Sequence, residues 1–135
     1  MHTIARVMMV GALALGSGCA STPKGKAVQT VVLSDAIADE VSLNWASFVD
    51  RKIAECRAKG LETMVEREEC MGAAAGGEVL AAAVDSLVLV QKAVKEGLMC
   101  EELKTCPKQV DWQALYQDAV LVLGEIKRLK GEQDK

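Results

Sequence analysis

Apolar residues recur at intervals of three and four along the chain, which predicts amphipathic helices. The first helix is predicted to begin between Val28 and Asp35 and to end at Gly60, just after basic residues that suit a helix carboxyl end. Its apolar stripe consists of Val31, Ala38, Val41, Trp45, Phe48 or Val49, Ile53 and Cys56.

A second helix is predicted from about residue 77 to Gly97, and it is apolar around most of its circumference. Between Val79 and Val90 only Asp85 and Ser86 are polar. A helix of this kind is expected to be buried on several sides, at the centre of the domain. The charged residues within and after the run argue against a membrane span.

The third helix has the most regular pattern in the chain. Asp111 is placed to cap its first turn, and Gly131 is expected to end it before a charged tail, 132–135. Its apolar positions follow at steps of three and four: Trp112, Leu115, Ala119, Val122, Ile126 and Leu129.

The segment between the first two long helices carries its own signals. Thr63-Met64-Val65-Glu66 has the form of a capping box and predicts a short helix over 64–71. Gly72, Gly76 and Gly77 then predict a bend, because glycine weakens a helix. The alternative is an uninterrupted helix whose glycines allow close packing.

Four cysteines fall within the helical region, and an even number in an exported chain predicts two disulfides. Their spacings do not match the short cysteine pairs of zinc sites. A helix of about 20 residues is about 30 Å long, so cysteines at its two ends are too far apart to pair. The expected pairs are therefore Cys56–Cys70 and Cys100–Cys106. The predicted fold is an all-α, three-helix up-down-up bundle over 28–131, held by these two disulfides, with 98–110 as a connector.

The amino terminus has an apolar run of about 10 residues, too short to span a bilayer. It ends in Leu15-Gly16-Ser17-Gly18-Cys19, which resembles the lipobox of bacterial lipoproteins, with Gly16 where the leucine usually stands. The resemblance implies that residues 1–18 are a signal peptide and that Cys19 is acylated, with 19–27 as lipidated cysteine and tether. Cleavage after Ala20 as an ordinary secretory signal is the alternative.

The resemblance also implies a location. Several acyl chains anchor a protein stably to a membrane. An aspartate directly after the acylated cysteine would resemble an inner-membrane retention signal, but this position is Ala20. In a two-membrane cell we therefore expect the protein to lie at the outer membrane, on its periplasmic or surface face. Small lipoproteins of this size are common in phage and mobile-element genomes. This association concerns the class of protein and not any particular residue of this chain.

The charge and the histidine content of the chain argue against several classes of function. Cleavage removes one of 16 basic residues and none of 19 acidic ones, so the mature net charge is −4 and no nucleic-acid partner is expected. The only histidine, His2, lies in the signal segment, which removes histidine-based catalytic and metal sites from the mature chain. The paired carboxylates Glu68-Glu69 and Glu101-Glu102 are expected to be solvated. We therefore expect no enzyme activity, cofactor or metal.

The predicted function is that of a membrane-anchored accessory protein that binds an envelope protein. The candidate contact residues are Glu66, Glu68 and Glu69, in the loop closed by the first disulfide. One alternative is a small-ligand module, which a cavity lined by Trp45 or Trp112 would favour; these aromatic residues are otherwise expected in the core. The other is a structural homo-oligomer that packs through the second helix.

Overall fold

A computed structural model describes residues 21–61 and 63–135, and within these ranges the chain is helical with no strand. Cys19 and the predicted signal segment 1–18 lie outside the described residues. The helices are α1 (Pro23–Leu43), α2 (Trp45–Ala58), α3 (Met64–Met71), a short 3-10 helix (Gly72–Ala75), α4 (Glu78–Leu103) and α5 (Trp112–Asp134). The predicted all-α class is therefore confirmed.

The first helix begins earlier than the sequence pattern predicts. The Thr22 side chain accepts a hydrogen bond from the Gly25 amide at 3.1 Å, and Pro23 occupies the first turn. Proline is well suited to this position, since its missing N–H has no partner there in any helix. Residues from 23 onward are thus helical, and Gly25 and Ala27 are buried, so the prediction of a tether through residue 27 is wrong for this part of it.

The predicted first helix is also two helices. It breaks at Asn44, where φ and ψ are −94° and 1° and the amide bonds to the Glu40 carbonyl. Leu43, just before the break, is exposed, whereas Phe48 of α2 is buried. The apolar spacing continues across the break, so periodicity alone did not reveal it.

The glycine-rich region bends, as predicted. The Thr63 side chain accepts a hydrogen bond from the Glu66 amide at 3.1 Å and caps α3 over the predicted residues. Gly72 then adopts φ +55°, a left-handed conformation that ends α3, and the 3-10 helix follows. Gly60, at φ +67°, likewise ends the turn after α2.

Gly97 does not end the second long helix, contrary to the prediction. α4 continues to Leu103, with Gly97 buried inside it. A Cβ atom at Gly97 would lie 3.0 Å from Cη2 of Trp112. The glycine therefore permits the close approach of the Trp112 ring, and α4 ends instead at Lys104, which adopts a left-handed conformation.

α4 is also less buried than its apolar composition predicts. Its buried residues, Ala83, Leu87, Val94 and Gly97, lie on one side. Val88 and Leu89 on the opposite side are exposed, Leu89 by 69%. The reason is that α5 contacts α1 more extensively than it contacts α4, so α4 is covered on one face alone. By length and composition the described residues include one helical stretch, Met64–Leu103, apolar enough to cross a membrane, a test that core helices of soluble proteins also pass.

Two groups of buried side chains form the core. The larger combines α1, α4 and α5 and contains Ala38, Val41, Ala83, Leu87, Val122, Ile126 and Leu129. The smaller contains Val31, Val94 and Ala119, with Trp112 packed against it. The predicted stripe of α5 is therefore confirmed as its core face.

α5 continues through Gly131 to Asp134, so the predicted end and the charged tail are wrong. The cause is a long-range contact. The buried side chain of Gln133 donates a hydrogen bond to the Val41 carbonyl at 2.8 Å, which satisfies a backbone group near the end of α1.

Candidate functional site

The predicted contact residues lie on a disulfide-linked pair of helices, α2 and α3, which we call the hairpin. Cys56 and Cys70 are bonded, with their Cα atoms 5.9 Å apart, which confirms the expected pairing. Cys56 is buried, whereas α3 contributes no buried residue. The disulfide thus fastens an exposed helix to one that is partly held in the core.

Glu66, Glu68 and Glu69 are all exposed on α3, as expected for a solvated acidic segment. The same helix exposes two large apolar side chains, Met64 by 75% and Val65 by 64%. The sequence pattern did not single these two out, because their exposure depends on α3 packing only through its other side. Acidic and apolar groups therefore occur together on the outer surface of the hairpin.

A groove of about 530 Å³ runs between the two helices of the hairpin. Its lining residues are Ile53, Cys56, Arg57, Leu61, Arg67 and Met71. Arg67 Nε donates a hydrogen bond to the Leu61 carbonyl at 3.3 Å, which ties α3 to the turn before it. The hairpin thus has an acidic outer helix and an arginine-lined groove.

The hairpin is joined to the long helices through α2. Arg51 Nη2 donates a hydrogen bond to the Gln133 carbonyl at 2.6 Å, and its guanidinium lies 5.6 Å from the centre of the Phe48 ring. Phe48 is 3% exposed and meets Trp45 edge to face at 5.3 Å. The expectation that these aromatic residues belong to the core is confirmed for Phe48, while Trp45 is half-buried at its edge.

The second disulfide lies at the other end of α4. Cys100 and Cys106 are bonded, with Cα atoms 4.8 Å apart, which confirms the second expected pair. Beside it, Glu101 accepts a hydrogen bond from Trp112 Nε1 at 2.9 Å and forms an ion pair with Lys24 Nζ at 2.7 Å. Glu101 therefore links α4 to α5 and to α1, and the expectation that it is merely solvated is wrong.

These contacts change the chemistry of Glu101. The hydrogen bond from Lys24, followed by that from Trp112, lowers the pKa of the carboxyl group below its usual value. The Lys24 ammonium also lies 5.7 Å from the centre of the Trp112 ring. No spacing rule would have found this group, since its three members come from three separate helices.

A shallow cavity of about 520 Å³ lies next to Trp112, between the start of α1 and the segment that precedes α5. This is the kind of cavity that the small-ligand interpretation requires. It is open to solvent, and Trp112 turns its indole N–H towards Glu101. Among the described residues no group of three or more histidine, cysteine, aspartate or glutamate side chains is placed to hold a metal ion.

Comparison of the chain with protein-family models, curated proteins and solved structures finds no match.

Proposed function

We propose that this protein is an exported lipoprotein, anchored by Cys19, that acts without catalysis by binding another envelope protein through its hairpin. The lipobox-like sequence ending at Cys19 supports the anchor. The two disulfides suit an oxidising compartment outside the cytoplasm. The main support for the proposed contact is that α3, held by the Cys56–Cys70 disulfide, exposes acidic and apolar side chains together.

The architecture we infer is an up-down-up bundle of α1, α4 and α5. Lys24 and Trp112, near the starts of α1 and α5, lie together, and Val41 and Gln133 meet near their ends, which supports a parallel pair. Early α4 residues pack with late α1 residues in the larger core group, and late α4 residues pack with early α1 residues in the smaller one. This exchange supports an antiparallel α4.

In such a bundle the hairpin and the start of α1 lie at opposite ends. α1 has 21 residues and is about 32 Å long. The chain enters α1 from the side of Cys19 and reaches the hairpin after α1 ends. The hairpin is therefore remote from the point of attachment and is free to meet a partner.

A braced surface is also favourable for binding. A disulfide restricts the conformations of the loop it closes, so less entropy is lost when a partner orders it. Exposed methionine and valine offer apolar contact, and the three carboxylates favour a partner with a basic patch. Basic charge on that partner would also raise the rate of association.

The test is charge reversal of Glu66, Glu68 and Glu69 to lysine in the producing cell. We expect crosslinking to the partner to fall by about tenfold or more, because three attractive charges become repulsive. The melting temperature should change by no more than about 2 °C, since all three residues are exposed.

The matched control reverses three exposed acidic residues elsewhere, Glu102, Asp118 and Glu125, which changes the net charge equally. This control should crosslink like the wild type. If the control loses the partner and the hairpin variant keeps it, the contact lies on α4 and α5 and the proposed site is wrong.

A further inference from the structure

One face of α4 is exposed along most of the helix, and we call it the outer α4 face. Its residues recur at steps of three and four on the side opposite the buried Ala83, Leu87 and Val94. They are Ala81, Ala82, Asp85, Val88, Leu89, Lys92, Lys95, Glu96 and Met99. Five small or apolar residues share this face with four charged ones, a mixture that also occurs at helix–helix interfaces.

The charges on this face are arranged in a way that suits self-association. Asp85 forms no ion pair with any described residue, and Lys92 makes only a long intrahelical contact, 4.0 Å from Glu96. Asp85 and Lys92 are seven residues apart, which is two helical turns. The peptide bond between Val88 and Leu89 lies midway between them.

We propose that a second copy of the chain covers the outer α4 face, with the two α4 helices antiparallel and Val88 and Leu89 at the two-fold axis. In this register residues equally distant from the axis face each other. Asp85 of each copy then meets Lys92 of the other, so two ion pairs flank an apolar centre. Ala81 and Ala82 face Glu96 and Lys95, and their small side chains leave room for these longer ones.

Other arrangements are disfavoured by the same charges. A parallel pair places Asp85 against Asp85 and Lys92 against Lys92, which is repulsive. An antiparallel pair centred on Lys92 places the two copies of Lys92 next to each other at the axis. It also places Leu89 of each copy opposite Lys95 of the other. A lipid bilayer is a poorer occupant as well, because Asp85 in the middle of the face would lose water without gaining a counter-charge.

The predicted dimer is weak. From Ala81 to Met99 the face is about 27 Å long and about 10 Å wide, so each copy buries roughly 300 Å², well under the size of a standard interface. We expect a dissociation constant on the order of 10 µM. The two α4 helices run in opposite directions in this dimer, so the two hairpins lie at its opposite ends and the proposed partner contact is unobstructed.

The experiment is native mass spectrometry of the acylated mature chain, residues 19–135, released from detergent micelles at about 1–100 µM. The dimeric fraction of the wild-type protein should increase with its concentration. Asp85→Lys alone and Lys92→Asp alone should each weaken the dimer about tenfold, because both ion pairs become repulsive. The double variant Asp85→Lys/Lys92→Asp should recover to within about threefold of wild type. Glu125→Lys, on α5, is the control and should dimerise normally.

Zero-length carbodiimide crosslinking checks the register. The dimer band should contain a peptide joining Lys92 to Asp85, which within one copy are two turns apart and out of reach. A monomer at every concentration overturns the proposal. The proposal is also wrong if the double variant dimerises no better than the single ones. It is wrong as well if wild type stays monomeric and Leu89→Glu releases a Cys19→Ser chain from phosphatidylglycerol vesicles, a result that would assign the face to lipid.

Discussion

Glu101 connects three helices through one carboxylate, which accepts hydrogen bonds from Lys24 on α1 and Trp112 on α5. Trp112 in turn packs on Gly97 of α4. The group thus fixes the relative position of the helix ends at the Cys100–Cys106 side of the molecule. Because its pKa is lowered by these contacts, its contribution to stability depends on pH.

We predict that Glu101→Gln lowers the melting temperature at pH 7 by a few degrees and flattens its decline in acid. The folded pKa of Glu101 lies below the unfolded value near 4.5, so its stabilisation is complete above that pH and is lost as the pH falls through the folded value. Melting curves from pH 7 to pH 3 measure the difference. Glu102→Gln, at the exposed neighbour, should follow the wild-type curve; parallel curves for all three proteins would contradict the role of Glu101.

Single residues with local roles were predictable from the sequence, and those with tertiary roles were not. The side chains of Thr63 and Asp111 cap their helices as predicted, because a capping residue bonds to amides two or three positions away. Glu101 and Gln133 act on residues far along the chain, so no local pattern marks them. Gly97 was interpreted as a helix end, whereas its role is to accommodate Trp112.

At the scale of elements, the hairpin depends on its disulfide more than the long helices do. Every buried residue of both core groups belongs to α1, α4 or α5, whereas α3 has none. Cys56 and Cys70 are 14 positions apart, and closing a loop of that length contributes about 3 kcal/mol to stability in the chain-entropy model.

We therefore predict that Cys56→Ala/Cys70→Ala destabilises the hairpin by about 3 kcal/mol and frees α3 locally, while α1, α4 and α5 stay folded. Hydrogen exchange should show loss of protection confined to α3 and its flanking turns. Cys100→Ala/Cys106→Ala, which opens a shorter loop, should cost less and leave α3 protected. Uniform loss of protection across all helices in the first variant would show that the hairpin belongs to the cooperative core.

The elements themselves were predictable where a capping box marked the helix, as for α3, or where periodicity and a cap agreed, as for α5. Their boundaries were less so. Pro23 begins α1 instead of preceding it, and α5 passes Gly131, because a helix end depends on which tertiary contacts reach it. The apolar circumference of α4 predicted burial on several sides, but the other helices of the described residues cover only one face of it.

At the scale of the whole molecule, two disulfides brace a helical body, to which we add a proposed lipid anchor at Cys19 and a proposed contact surface on the hairpin. The helical class and both disulfide pairs follow from hydrophobic spacing and the length of a helix, so the sequence was sufficient for them. The apolar part of the proposed partner surface could not be predicted from the sequence, since the exposure of Met64 and Val65 depends on how α3 packs.

The proposed anchor at Cys19 would determine where the protein resides, and metabolic labelling with palmitate tests this proposal most directly. Cells producing the wild-type chain should yield a labelled protein that stays with the membrane fraction after a high-salt wash. Cys19→Ser should abolish the label. If this variant is still exported, the disulfides Cys56–Cys70 and Cys100–Cys106 should still form in it. An unlabelled wild-type protein, released in soluble form and beginning at Ser21, would contradict the lipoprotein assignment and support an ordinary secretory signal cleaved after Ala20.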